Sequence, residues 1–164
     1  MGLQLPPELA GWLGVLGFTW PEADETKLFE LGNTWTGFAS TLQTAGDEAD
    51  ALVQQVWTEN KGADFEALQQ AWADPDAAVA NLRTASRSCL AAGIGLFIAA
   101  LVVLALKIMV IVQLIILVIQ IAQAIATAIA TFGASLLQIP IFKMITKVIV
   151  DILVDQAVGA LLGG

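Results

Sequence analysis

The sequence predicts an all-α fold: an elongated helical hairpin or bundle with a long apolar central helix and a C-terminal helix folded back on it. Apolar residues recur at helical spacing through the N-terminal half. An almost uncharged stretch then runs from Leu90 to Phe142, with Lys107 as its one charge, and an amphipathic pattern follows Pro140. No turn residue or proline interrupts residues 96–130, and a run of this length favours a helix over a strand.

Composition excludes several classes of function. The net charge is −8, and it is unevenly placed: residues 1–82 carry 2 − 13 = −11, and the remainder carries 5 − 2 = +3. No basic stripe is available to neutralise phosphates, so we expect no nucleic-acid partner. The chain has no His and one Cys, and it has no Gly-rich phosphate loop. We therefore expect no enzyme activity, no metal site and no cofactor.

The N-terminal segment predicts a short helix and then a capped long one. Pro7 suits a first helical turn, and the first helix should run to Val15 or Leu16 and stop at Gly17. Asp24 is a good N-cap for the next helix, because its carboxylate can accept a hydrogen bond from a free first-turn N–H group.

The long helix that begins there carries an unbroken heptad pattern, which is typical of a helix that packs along its whole length. If Leu28 is position a, the a and d positions hold only apolar residues: Leu28, Leu31, Trp35, Phe38, Leu42, Ala45, Ala49, Leu52 and Val56. Gly32, Gly37 and Gly46 weaken this helix in isolation, so tertiary packing must stabilise it.

A tight reversal at Asn60–Gly62 predicts an antiparallel hairpin, with a second helix from about Ala63. Asp74 and Pro75 interrupt and restart that helix, and Arg83 and Arg87 are expected to pair with acids of the first arm. We expect two segments, 1–74 as the acidic hairpin and 75–164 as the apolar part. The predicted hairpin and partner interface comprises Leu28, Leu31, Trp35, Phe38, Leu42, Trp57, Asn60, Gly62, Phe65 and Trp72. Trp35 and Phe38 could equally be ordinary core residues.

Several motifs in order give the chain a family resemblance. LPPEL, GFTWPEADE and W-x-x-N-x-G, followed by an Ala-rich apolar region, resemble the WXG/ESAT-like superfamily of type VII secretion substrates. Within it, the chain looks most like the WXG-like (outer-membrane-channel-like) N-terminal domain of actinobacterial polymorphic toxins. The resemblance implies a targeting module that pairs with a small WXG-like helical protein or with itself. The chain lacks Tyr and hence the Tyr-based export signal, which a partner would then supply.

Polar residues of the apolar stretch predict one narrow stripe along a helix that could extend unbroken to about Leu137. The stripe comprises Gln113, Gln120, Gln123, Thr127, Thr131 and Gln138. Three environments remain open for it: a helix–helix seam, a water-filled pore and a contact between helices in lipid.

Two functions remain open at this stage. One is a non-enzymatic export and assembly module that pairs through its hairpin. The alternative is a membrane-inserting pore or translocation module that uses residues 90–142, with the lipid bilayer as a further partner. Both predict a secreted, cell-envelope-associated or membrane-inserted protein. The N-terminus lacks the basic region of a secretory signal peptide, so export would follow a non-Sec route.

Overall fold

A computed structural model describes residues 2–163 and confirms the all-α prediction. Among these residues the chain forms five α-helices and one 3-10 helix, and no β-strand. The helices are α1 (Pro7–Val15), α2 (Glu25–Glu59), α3 (Ala63–Trp72), α4 (Ala78–Ala126) and α5 (Ile139–Leu162), with the 3-10 helix at Ala134–Gln138. Helix α4 is the long central helix, and α5 packs against it.

The predicted start and stop signals operate as expected in the first half of the chain. Gly17 follows α1 with a φ of +86°. The backbone N–H of Lys27 donates to Asp24 Oδ1 at 3.2 Å, which caps α2. Gly62 adopts a φ of +136° at the reversal between α2 and α3. Each glycine adopts a conformation that a side chain would strain, so Gly17 ends α1 and Gly62, the N-cap residue of α3, completes the reversal.

The chain forms two compact units. The first contains Met1–Lys27 and Ala99–Gly164, and the second contains Leu28–Ile98. The boundary expected between residues 74 and 75 concerns segments of the sequence, and it stays a prediction.

The core of the first unit joins α1 to parts of α4 and α5. Leucines of α1 pack with one face of α4 and with Val150 of α5. The aromatic residues of the N-terminal segment, Trp12, Phe18 and Trp20, lie against the same cluster. The buried members of this core are Leu9, Leu13, Leu16, Val110, Leu114, Leu117, Ile121 and Val150. Burial of apolar surface at ~25 cal/mol per Å² is the main stabilising contribution here.

The second unit is built on an antiparallel pairing of α2 with the beginning of α4. The Phe29 and Phe97 rings lie 6.0 Å apart at one end. Ser86 Oγ donates to the Ala39 carbonyl at 2.8 Å near the middle. Helix α3 folds back along the end of α2, so the second arm of the hairpin is α3 followed by α4, with the expected interruption between them.

The apolar helix does not continue to about Leu137: α4 runs through Gly93 and Gly95 and ends at Ala126, and the chain reverses near Gly133, the third glycine at which the helix could break. Residues 127–133 form a series of turns that finish in a Schellman-type arrangement. The Gly133 N–H donates to the Ala128 carbonyl at 2.7 Å, and the Phe132 N–H donates to the Ile129 carbonyl at 3.4 Å. Phe132 and Gly133 both have positive φ, at +51° and +84°. Gly133 supplies a reversal that hydropathy alone does not reveal.

Candidate functional site

The seam between α2 and α4 is made by small residues rather than by the heptad stripe. The residues of α2 that meet α4 occupy positions b and e of the heptad: Phe29, Gly32, Thr36, Ala39, Gly46 and Asp50. A Cβ atom at Gly32 would lie 2.7 Å from Phe97 Cε1, and one at Gly93 would lie 2.6 Å from Thr36 Cγ2. The two helices therefore approach closely at a point where only glycine fits.

Most a and d positions of α2 are consequently exposed. Phe38 is 51% exposed and Leu52 is 65% exposed, and Leu31, Trp35 and Val56 are also exposed. Leu28, Leu42 and Ala49 are half-buried. The structure thus places Trp35 and Phe38 on the surface of the chain instead of in its core. We name the nine a and d residues from Leu28 to Val56 the heptad face.

At the hairpin turn, the structure brings four of the predicted residues together. Trp57, Asn60, Gly62 and Phe65 line a cavity of about 190 Å³. The backbone N–H of Asn60 donates to the Val56 carbonyl at 3.1 Å, and its side-chain amide donates to the same oxygen at 2.9 Å, at the end of α2. Asn60 therefore stabilises the end of the helix before the reversal.

Trp72, the last of the predicted hairpin residues, forms a hydrogen bond that connects α3 to α2. Its Nε1–H donates to Asp50 Oδ1 at 2.7 Å. The other oxygen of Asp50 accepts from Arg83, and Asp47 lies 3.8 Å from the same guanidinium nitrogen. The expected pairing of Arg83 with acids of the first arm is thereby confirmed. A single carboxylate connects α2, α3 and α4 within this unit.

A helical hairpin with this turn matches a known family model. The model for the WXG100-like domain matches residues 5–148, which is most of the chain. The chain belongs to the WXG100-like domain family. The family is associated with type VII secretion, and its members are non-enzymatic helical proteins that typically pair as hairpin dimers. No curated protein and no solved structure matches the chain.

In this WXG100-like domain, the predicted polar stripe does not follow a single helix. Gln113 and Gln120 are half-buried on α4, and Gln123 is exposed near its end. Thr127 and Thr131 lie in the turns after α4, where each hydroxyl donates at 2.9 Å to the carbonyl four residues earlier. Gln138 is exposed at the end of the 3-10 helix. The threonine hydroxyls therefore satisfy backbone carbonyls where α4 ends.

Sequence reasoning missed a buried ion pair in the first unit. Lys107 is 1% exposed, and its Nζ lies 2.8 Å from Glu25 Oε2 and 2.7 Å from the Ala23 carbonyl oxygen. The same ammonium lies 5.7 Å from the centroid of the Trp20 ring, and the Leu3 N–H donates to Glu25 Oε1. The signal was present in the sequence: a lone Lys within an apolar helix requires a buried anion.

The pKa of Glu25 reflects this environment. Burial alone would raise it, but hydrogen bonds from the Leu3 N–H and from Lys107 outweigh burial, and the pKa of Glu25 lies below its usual value. The pKa of Asp24 is also lowered, chiefly because its carboxylate accepts the Lys27 N–H. Within residues 2–163, no three His, Cys, Asp or Glu side chains gather in a geometry suited to a metal ion.

Proposed function

We propose that this chain is the N-terminal targeting and assembly module of a type VII secreted, toxin-like protein, and that it pairs with a helical partner through the heptad face of α2. The observation that supports pairing is the exposure of that face, since the α2–α4 seam uses positions b and e and leaves positions a and d free. Apolar residues that repeat at a and d over several turns are suited to knobs-into-holes packing with another helix.

The partner that fits best is another elongated amphipathic helix. It is either a small WXG-like protein or a second copy of this chain. The exposed aromatic side chains, Trp35 and Phe38, are of the type that dominates binding energy at protein interfaces. The paired module would leave the cell by a non-Sec route and act in secreted or envelope-associated form.

Substitution of the exposed aromatic residues tests the pairing. Trp35→Asp and Phe38→Asp should each weaken binding of a co-expressed WXG-like partner by about thirtyfold or more, because burial of a charge in an apolar interface costs ~2 kcal/mol or more. Asn33→Asp, at exposed position f of the same helix, is the matched control. The measurement is a Kd from calorimetry, with light scattering to distinguish a heterodimer from a homodimer. Unchanged affinity in both heptad-face variants would exclude this interface.

A second function, membrane insertion, is supported by α4. An 18-residue window of α4 reaches a mean hydropathy of 3.1, and only 28% of that window is buried within the chain. A core helix of a soluble protein with this hydropathy would normally be mostly buried. We propose that residues 90–142 insert into a lipid bilayer when the module is away from its partner, and that they form a pore or translocation path there.

Leakage of a dye from vesicles tests the second function. The chain alone should release a trapped fluorophore, and replacement of Gln113, Gln120, Thr127 and Thr131 by Leu should abolish release if polar side chains line the path. Release that is unaltered by the four substitutions would exclude the stripe from the mechanism. No release at any protein concentration would exclude the pore.

A further inference from the structure

The turn between α4 and α5 carries the most exposed large apolar side chains of the described residues. Phe132 is 99% exposed and Ile129 is 92% exposed, and Leu137 is 75% exposed. Phe132 also has a φ of +51°, a conformation that costs a residue with a side chain on the order of 1 kcal/mol. A fold that depended only on its own core would gain stability from glycine or asparagine at this position. We name residues 127–138 the apical turn.

The hydroxyl groups of the apical turn have hydrogen-bond partners within the turn or at the end of α4, and the exposed Gln138 lies at the last position of the turn. The three hydroxyls, those of Thr127, Thr131 and Ser135, all donate to acceptors inside the first unit. The bond from Ser135 Oγ to the Ala124 carbonyl is 2.6 Å long and buried. Structures enter hydrocarbon only when their backbone carbonyls and N–H groups have internal partners. The three hydroxyls therefore do not need water as a hydrogen-bond partner.

Charge is absent from the apical turn and from both chain segments that lead to it. The sequence contains no Asp, Glu, Lys or Arg between Lys107 and Lys143. The shorter arm ends at Lys143 and consists of the five-residue 3-10 helix and the first five residues of α5, which together rise at most about 17 Å at ~2.0 and ~1.5 Å per residue. The hydrocarbon core of a bilayer is ~30 Å thick. The uncharged arm is therefore about as long as one leaflet is deep.

At the base of that arm, two residues have the character of interfacial anchors. The Lys143 ammonium lies 5.8 Å from the centroid of the Trp12 ring, and both side chains are half-buried. Trp and Lys are enriched where a protein meets lipid headgroups, because each combines an apolar body with a polar end. A protein partner could supply hydrogen bonds to the hydroxyls of the turn, so it would not require them to be paired internally. It would also set no particular distance between Phe132 and the charge of Lys143, whereas a lipid leaflet does.

We infer that the apical turn inserts into one leaflet of a zwitterionic lipid bilayer, with Phe132 deepest and with Lys143 and Trp12 at the headgroups. This inference rests on the membrane contact of the second function proposed above, and it differs from a spanning pore because only the turn enters the lipid. The zwitterionic surface follows from the charge of the first unit, which holds four lysines and six carboxylates, 4 − 6 = −2, so an anionic surface would not attract it.

Site-specific fluorescence distinguishes this inference from insertion of the whole stretch. In a Cys89→Ala background, an environment-sensitive label is attached at Phe132→Cys, at Val112→Cys on α4, or at Gln55→Cys on α2 as control. With phosphatidylcholine vesicles, the label at 132 should shift to shorter wavelength and be quenched by lipids that carry a nitroxide on the acyl chain. Val112 lies about 21 Å before the end of α4 at ~1.5 Å per residue, which is deeper than one leaflet, so its label should remain aqueous, as should the label at 55.

Four other results of these experiments would overturn the inference. A response at 112 equal to or larger than that at 132 overturns the inference but supports a spanning α4. No response at either position overturns both. A shift at 132 without vesicles, growing with protein concentration, shows that a second copy covers the turn and overturns the inference. Phe132→Asp should lower vesicle partitioning at least tenfold relative to Val158→Asp, in which the replaced valine is 48% exposed and lies far along α5. Equal partitioning of the two variants also overturns the inference.

Discussion

Removal of the charge on Lys107 is predicted to destabilise the first unit by about 3–5 kcal/mol, the usual cost of breaking a buried pair from one side. In Lys107→Met the side chain keeps its approximate length, but the carboxylate of Glu25, 4% exposed, loses the ammonium 2.8 Å away. The Leu3 N–H remains as its hydrogen-bond donor. The free energy of unfolding is measured by urea titration at pH 7, and hydrogen exchange of Leu114 and Leu117 reports the same unit.

Dependence on pH separates a buried ion pair from simple packing. In the parent chain the folded pKa of Glu25 is lowered, so its contribution to stability is complete above the unfolded pKa of ~4.5 and is lost as pH falls through the folded value. In Lys107→Met, burial dominates and raises the folded pKa. The penalty in that variant should then shrink as pH falls and the buried carboxylate is protonated. The two chains should therefore approach each other in stability between pH 7 and pH 4.

Two further variants complete the test. Lys27→Met removes an exposed charge near the same carboxylate and should change stability by no more than ~0.5 kcal/mol. Glu25→Gln combined with Lys107→Met removes both charges, keeps an acceptor for the Leu3 N–H, and should recover more than half of the loss. The reasoning is refuted if Lys107→Met costs less than ~1 kcal/mol at pH 7, or if its cost does not change with pH.

Two other predictions concern the second unit. Gly93→Ala should destabilise it by ~1–3 kcal/mol, because the added methyl group would lie 2.6 Å from Thr36. Gly95→Ala meets nothing within 4 Å and should stabilise the helix by ~0.5–1 kcal/mol. Thermal unfolding followed by circular dichroism compares the two variants, and a Gly93→Ala chain as stable as the parent would contradict the tight seam. Asp50→Ala should lower the free energy of unfolding by ~1–2 kcal/mol and increase hydrogen exchange in α3, because Trp72 and Arg83 both lose their acceptor. Asp47→Ala, the control, should leave stability nearly unchanged. Equal effects of the two substitutions would show that the shared carboxylate does not stabilise the unit.

Local signals in the sequence predicted the helices well. A proline in the first turn, an Asp cap or a glycine with positive φ acts within a few residues, so α1 and the start of α2 followed directly from residues 7–25. The end of α4 did not, because Gly93, Gly95 and Gly133 look alike in a sequence, although the helix continues through the first two and the chain reverses near the third. The threonines mark no helix end, since Thr34 and Thr41 donate to the carbonyl four residues earlier inside α2 as well.

The ion pair between Lys107 and Glu25 shows a different limit. A buried Lys must have an anionic partner, but 13 acids precede residue 83 and periodicity does not rank them. The pairing depends on how the segment of residues 2–25 crosses α4, a contact between residues 82 positions apart. Long-range contacts of this kind carry no local pattern.

The heptad face shows why the strongest apolar pattern of a chain is not always the one that the chain buries itself. Large side chains at a and d hold helices roughly 8–10 Å apart, whereas glycines at Gly32 and Gly93 allow a closer approach at b and e. The closer seam leaves the larger side chains outside. Helix α2 has 35 residues, contains three glycines and exposes Trp35. The exposed part of its apolar stripe contributes little to the stability of the isolated chain, so the chain's own fold does not explain the stripe. The pairing proposed above accounts for it: the glycines allow the hairpin to close, and the heptad face is left to bind a partner helix.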